Sequence, residues 1–287
     1  MPEVLPAAPV VVLGLAAALA WGAGDFAGGL ASRTAPLLGV TLFVQGIGIV
    51  LAFGLWVWQG EAVPGPSDIA WATLAGITAA AGIAGLYGAL AAGSMSVVAP
   101  LVGVLGASVP VAVGLALEGL PSWLALAGIA LALLAVVLVG GAASAGGGGG
   151  RRGLWLGLMG GAGIGVYSVA VSRFADDLVF GPLFITRFVA TVVFVVVIAL
   201  TRGAWRLPRP AWALVAGVAL IDLLGNAAFV LATQLGDLAV ATVLGALYPV
   251  ATVILAAVVL KERITPRHAI GIATAAIAIG CIAAGSG

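Results

Sequence analysis

Residues 9–31 read PVVVLGLAAALAWGAGDFAGGLA, an apolar block with a single charge, Asp25. A helix of this length crosses the ~30 Å hydrocarbon core of a bilayer. Similar blocks fill the chain. They predict spans over Leu37–Trp58, Asp68–Ala92, Ser96–Leu117, Pro121–Gly140, Gly153–Phe174, Val179–Thr201, Pro210–Gln234, Leu238–Leu260 and Pro266–Gly285. With the first, Pro9–Ala31, these make ten. Hydrophobic residues form 63% of the sequence and charged ones 7%, against roughly 25% charged in a soluble domain. So few charges cannot coat a water-facing surface, so most of the outside must face lipid. Backbone groups in lipid must be satisfied within their own segment, which makes the blocks helices. They are too long and continuous for the alternating strands of a barrel.

The start, MPEVLPAAP, has no basic region, so the first block reads as a retained helix rather than a cleaved signal. Net charge is +1, which gives no footprint for nucleic acid. One cysteine, Cys281, excludes a disulfide framework and a metal knuckle. No nucleotide-binding loop follows the glycine run Gly146–Gly150, which reads as part of a flexible linker over residues 146–152.

That linker divides the chain into residues 1–145 and 153–287, five spans each. The halves resemble one another. Residues 21–33 read WGAGDFAGGLASR and residues 161–173 read GAGIGVYSVAVSR, both ending in Ser-Arg. Trp71 and Trp212 open the third and eighth spans, and Gln45 and Arg187 hold equivalent places in the second and seventh. Two copies of an odd-span unit insert in opposite orientations. That predicts an inverted repeat with a substrate site near the midplane.

Three charges fall inside spans: Asp25, Arg187 and Asp222. Each costs at least ~2.5–3.5 kcal/mol in hydrocarbon, so all three are expected to face one wet cavity. Asn226 follows Asp222 by four residues and Trp21 precedes Asp25 by four, on the same helical faces. Arg187 could fork onto a substrate carboxylate, or pair with Asp222 or Asp25 to hold helices together. Asp25 and Asp222 are candidates for carrying a coupling proton. Gln45, Tyr87, Tyr167 and Tyr248 would complete the wall, their ring faces suiting an apolar or cationic moiety. Trp56, Trp58, Trp123, Trp155 and Trp212 lie near span ends and suit interfacial anchoring. Pro100, Pro110 and Pro249 would loosen the fourth and ninth spans.

Residues 20–33 (AWGAGDFAGGLASR), 95–122 (MSVVAPLVGVLGASVPVAVGLALEGLPS) and 246–265 (ALYPVATVILAAVVLKERIT), in their order across ten spans, resemble the EamA-type transporters of the drug/metabolite transporter superfamily. The resemblance covers the whole chain. It implies a ten-helix basket around a central cavity that works by alternating access and moves amino acids, purines, sugars or other metabolites, often outward. Similar proteins carry Gly-Glu-Arg-Pro after the fourth span. Here the order is Glu118-Gly119-Leu120-Pro121, with the basic residue lost, while the second half keeps Lys261-Glu262-Arg263.

The expectation is a secondary transporter, an exporter rather than an enzyme, needing no cofactor and no metal. Its partners would be a small-molecule substrate, a coupling proton and the bilayer, and it would act as a monomer or homodimer. A non-transporting receptor or scaffold and a lipid-handling membrane enzyme are the alternatives. The expected site is the cell (inner) membrane, crossed many times. Orientation is in conflict. Nine basic residues (Arg33, Arg151, Arg152, Arg202, Arg206, Arg209, Lys261, Arg263, Arg267) share one side against Arg173 on the other, which puts the termini outside. Similar transporters are drawn with the termini in the cytoplasm.

Overall fold

Apolar runs bounded by glycine, proline and charged residues become long helices. The computed structural model describes residues 8–91, 95–140, 150–261 and 263–285. Its helices are α1 (Ala8–Ser32), α2 (Leu37–Gln59), α3 (Pro66–Ala91), α4 (Met95–Leu117), α5 (Trp123–Gly140), α6 (Gly150–Val171), α7 (Phe180–Thr201), α8 (Trp212–Leu235), α9 (Leu238–Gly245), α10 (Tyr248–Val259) and α11 (Pro266–Gly285). A single 3-10 turn, Arg209–Ala211, leads into α8, and no strand occurs among the described residues. Seven described segments are long and apolar enough to cross a membrane. Three shorter apolar ones, Val102–Leu117, Trp123–Val139 and Trp155–Val171, bring the apolar helical segments to ten. The expected glycine run Gly146–Gly150 falls almost wholly outside the described residues, as does Glu262.

The ninth span, Leu238–Val259, is loosened near Pro249 as expected: its helix is interrupted at Ala246 and Leu247, which divides it into α9 and α10. Pro249 sits just inside α10 and has no N–H to donate, so the carbonyl four residues earlier loses its helical partner. The chain tightens instead. Leu247 N–H donates to the Leu244 carbonyl and Val250 N–H to Leu247, each three residues back. Pro110, in contrast, is fully buried within an unbroken α4.

Large side chains on the outer faces are exposed, among them Val50, Phe53, Val57, Val195, Leu200 and Ile277. In a bilayer this surface meets lipid tails. The core is built largely of alanine, valine and glycine, with Leu183, Leu223, Phe229 and Leu244 its largest fully buried residues. Small residues let backbones close in, which drives helix association in lipid. The main pairings are α3 on α6, α1 on α8, α4 on α6, α1 on α9 and α10, α3 on α7, α2 on α8, α2 on α7 and α5 on α11. The α5–α11 pair stands apart from the cavity and contributes no residue to its lining.

The two faces differ in charge. Alternating crossings put Glu61, Asp68, Glu118, Asp176, Asp177 and Asp237 on the face where α1 begins, with Arg173. Arg33, Arg202, Arg206, Arg209, Lys261, Arg263 and Arg267 lie on the opposite, basic face.

Candidate functional site

A cavity of about 310 Å³ lies among α1, α2, α3, α6, α7, α8 and the start of α10. Each helix turns one stripe toward it. On α1 the stripe is Trp21, Gly24, Asp25, Gly28 and Ser32, at the three- and four-residue spacing of one helical face. On α8 it is Val218, Asp222 and Asn226, one turn apart.

Arg187 anchors the wall. It is only 3% exposed. Its Nη1 donates to Gln45 Oε1 at 3.0 Å and its Nη2 to Asp222 Oδ2 at 2.7 Å. The ion pair therefore ties α7 to α8, and the amide bond ties α7 to α2. Its aliphatic stem and guanidinium lie against Gly48, where a Cβ would come within 2.7 Å of both Cδ and Nη1. Only a residue without a side chain leaves the arginine this seat. Asn226 extends the network. Its Nδ2 donates to the Asp222 carbonyl at 2.6 Å, and its Oδ1 accepts from the Tyr167 hydroxyl. Thr186, beside the arginine, donates to the carbonyls of Ala72 and Pro182 and locks α7 to α3.

Asp25 differs from Asp222. It is exposed and lines the cavity. Among the described residues it joins no ion pair. Trp21, one turn earlier, packs against Phe229 in a tilted arrangement with ring centroids 5.2 Å apart. Tyr248 closes the wall where the broken ninth span resumes.

Of the nine residues read from sequence as lining a site, Trp21, Asp25, Gln45, Tyr167, Arg187, Asp222, Asn226 and Tyr248 all border this one cavity. The Tyr87 side chain lies outside the described residues, as does that of Pro100. Sequence reading missed Gly48 and Thr186. Their signal was their nearness to Gln45 and Arg187 on the same helices, too common a pattern in a chain with 44 glycines to single them out.

The cavity reaches Ser32 and Leu37, at the ends of α1 and α2 on the basic face. Toward the acidic face it stops at Leu183, Tyr167 and Asn226. Beyond them the halves are joined by polar contacts. Glu61 accepts the N–H groups of Phe180 and Gly181 at 2.9–3.0 Å, capping α7 with a negative charge where the helix dipole favours one. Asp68 Oδ1 accepts Ala175 N–H at 2.9 Å. Glu118 Oε2 accepts Leu238 N–H at 2.8 Å at the start of α9.

Burial pushes the Glu118 carboxyl above its usual value, and Asp237 adds to the rise, while the Leu238 bond and Arg173 pull it back. The native state thus holds this proton more tightly than the unfolded chain does. Ionising Glu118 costs stability as pH rises through its native value. Glu118→Gln keeps an acceptor for Leu238 and carries no charge. The variant should melt no lower than wild type at pH 7, and any gain should shrink as pH falls to about 4. Detergent melts across that range check this, and a marked loss at pH 7 would mean that the charged bond outweighs burial.

Comparison with known proteins follows the same lines. No curated protein matches the chain at a significant level. One solved structure, described only as the crystal structure of a protein, superposes over 95% of each chain with a TM-score of 0.79 and 19% identity. At that identity the likeness concerns the fold alone. Residues 151–284, from the linker arginines through α11, match the model of the EamA-like transporter family. The second half of this multi-pass membrane protein is thus similar to the EamA-like transporters, a family of the drug/metabolite transporter superfamily.

Proposed function

We propose that the chain is a secondary transporter that exports a small metabolite or drug-like solute by alternating access through the central cavity. The observation that carries this reading is a mid-membrane cavity, lined by three charged side chains, that reaches one face and is closed from the other, where hydrogen bonds join the halves. Such contacts can break and re-form at modest cost, because each group finds water as a substitute.

An inverted repeat supplies the second arrangement, and the helix pairings support one. Exchanging the halves turns α3 on α6 into α8 on α1, α4 on α6 into α9 and α10 on α1, and α3 on α7 into α8 on α2. The α2–α7 and α5–α11 pairs map onto themselves. A structure with this exchange symmetry has two near-equivalent states, open to opposite faces. Asp25, exposed and unpaired among the described residues, is the group best placed to exchange a proton with the solute. The membrane we assign is the cell membrane.

Flux in sealed vesicles holding the purified chain tests this. Wild type should move at least one solute of a broad metabolite panel, faster with an imposed proton gradient. Asp25→Asn should lose most of that gradient-driven rate and its pH dependence. Unchanged rate and pH profile would remove Asp25 from the mechanism, and no flux across the panel would sink the transport reading.

A further inference from the structure

We infer that the cavity selects an organic cation with an apolar or aromatic body over an anion or a zwitterion; this builds on the transport reading and concerns the same cavity. Three charged side chains line it: Asp25, Arg187 and Asp222. Arg187 is spent. It is buried, bonded to Gln45 and Asp222, and its Nε lies toward Gly48, where a Cβ would be 3.0 Å away. That Nε has no hydrogen-bond partner, but it is buried there and does not present itself to a substrate carboxylate. Asp222 is partly spent, with Oδ2 on Arg187 and its side chain 30% exposed. Asp25 is exposed, and among the described residues nothing balances it. The cavity therefore offers one net negative charge, displayed on Asp25 one helical turn from the Trp21 ring.

A carboxylate entering here would meet two carboxylates and no open cation, an arrangement that disfavours it. A cation would meet a free carboxylate beside aromatic rings. Trp21, Tyr167 and Tyr248 all border the space, and ring faces attract ammonium groups within about 6 Å. Trp21 is held in place by Phe229, and Gly225 and Gly245 make room for its indole, with Cβ positions about 3 Å from the ring. The remaining wall, including Val40, Val44, Ile83 and Leu183, is apolar and suits a hydrocarbon body. A volume near 310 Å³ lies at the small end of ligand pockets, which run roughly 300–1,000 Å³. The arginines of the basic face do not reverse this preference. Arg33, nearest the mouth in sequence, is exposed, and such charges are screened over about 8 Å at physiological salt, whereas the cavity carboxylates sit between low-dielectric walls.

Four probes of one size separate the classes: benzyltrimethylammonium, benzyl alcohol, phenylacetate and phenylalanine. Equilibrium binding to the purified full chain in detergent should rank the cation at least about tenfold above the other three. Asp25→Asn should erase that margin and leave benzyl alcohol binding unchanged, while Asp25→Glu, which keeps the charge, should retain most of it. The aspartate-to-glutamate variant separates a charge effect from misfolding. Phenylacetate or phenylalanine binding as tightly as the cation, a cation no better than benzyl alcohol, or an unaltered margin in Asp25→Asn would each overturn the inference. Flux in vesicles separates the two readings. A cation that binds but does not cross leaves the selectivity standing and sinks transport. Phenylalanine crossing while the cation does not leaves transport standing and sinks the selectivity.

Discussion

Arg187→Met is expected to lower stability by about 3 kcal/mol and to abolish solute flux. Removing one partner of a buried pair costs about 3–5 kcal/mol because the other charge is left uncompensated. Asp222 is 30% exposed to the cavity, which moves the expected loss to the lower end of that range. Gln45 Oε1 also loses its donor. Asp222→Asn should cost less, since an amide oxygen still accepts from Nη2. The double variant, with neither charge, should be more stable than Arg187→Met alone, with a coupling of about 1–3 kcal/mol between neighbours in one network. Denaturant unfolding of the four proteins closes the cycle, and strict additivity would show that the pair does not join α7 to α8.

Gly48→Ala reaches the same network without touching a charge. A methyl group there would sit 2.7 Å from Arg187 Cδ and Nη1, so the arginine must leave Gln45 or α2 must move. The expected loss is about 1–3 kcal/mol, typical of overpacking. Flux should fall nearly as far as in Arg187→Met. A Gly48→Ala variant with normal flux would mean that the position of Arg187 is immaterial to transport.

Much of this architecture could be read from the chain because lipid is a strict solvent. A bilayer demands apolar blocks near 20 residues, and the edges at Leu37, Thr201, Pro266 and Gly285 fall where composition puts them. Charges inside such blocks are costly enough that Asp25, Arg187 and Asp222 could be expected to face a cavity. Which aspartate Arg187 takes was not readable, since that depends on how α7 and α8 rotate about their axes. Span nine shows a different limit. Pro249 was visible, yet the break falls at Ala246 and Leu247, because proline disturbs the carbonyl of the turn before it. Glu61 and Glu118 lie between the predicted spans. Their work as acceptors for α7 and α9 depends on contacts about 120 residues away in sequence, which no local pattern reports.

The glycines of α3 and α6 give the last large effect. A Cβ on Gly85 would lie 2.6 Å from the Gly160 nitrogen and 2.8 Å from both the Gly160 Cα and the Leu156 carbonyl oxygen. One on Gly163 would lie 2.7 Å from the Gly82 nitrogen and 2.8 Å from the Gly82 Cα and the Thr78 carbonyl oxygen. The obstacle in each case is backbone inside a helix, which cannot swing aside as a side chain can, so α3 and α6 must separate. Gly85→Ala and Gly163→Ala should each cost about 1–3 kcal/mol, and the valine variants more. Together they should cost less than their sum, because the separation forced by one relieves the other. Gly54→Ala on α2 and Gly280→Ala on α11, where nothing lies within 4 Å, are the controls and should hold or gain up to about 1 kcal/mol. The damage should extend to the cavity, since α6 carries Tyr167 to Asn226 and α3 carries Ile83 and Leu86 to the opposite wall. If Gly85→Ala melts with Gly54→Ala, the seam is looser than these distances allow. If it melts early yet binds solute as wild type does, the seam holds the halves together without setting the shape of the cavity between them.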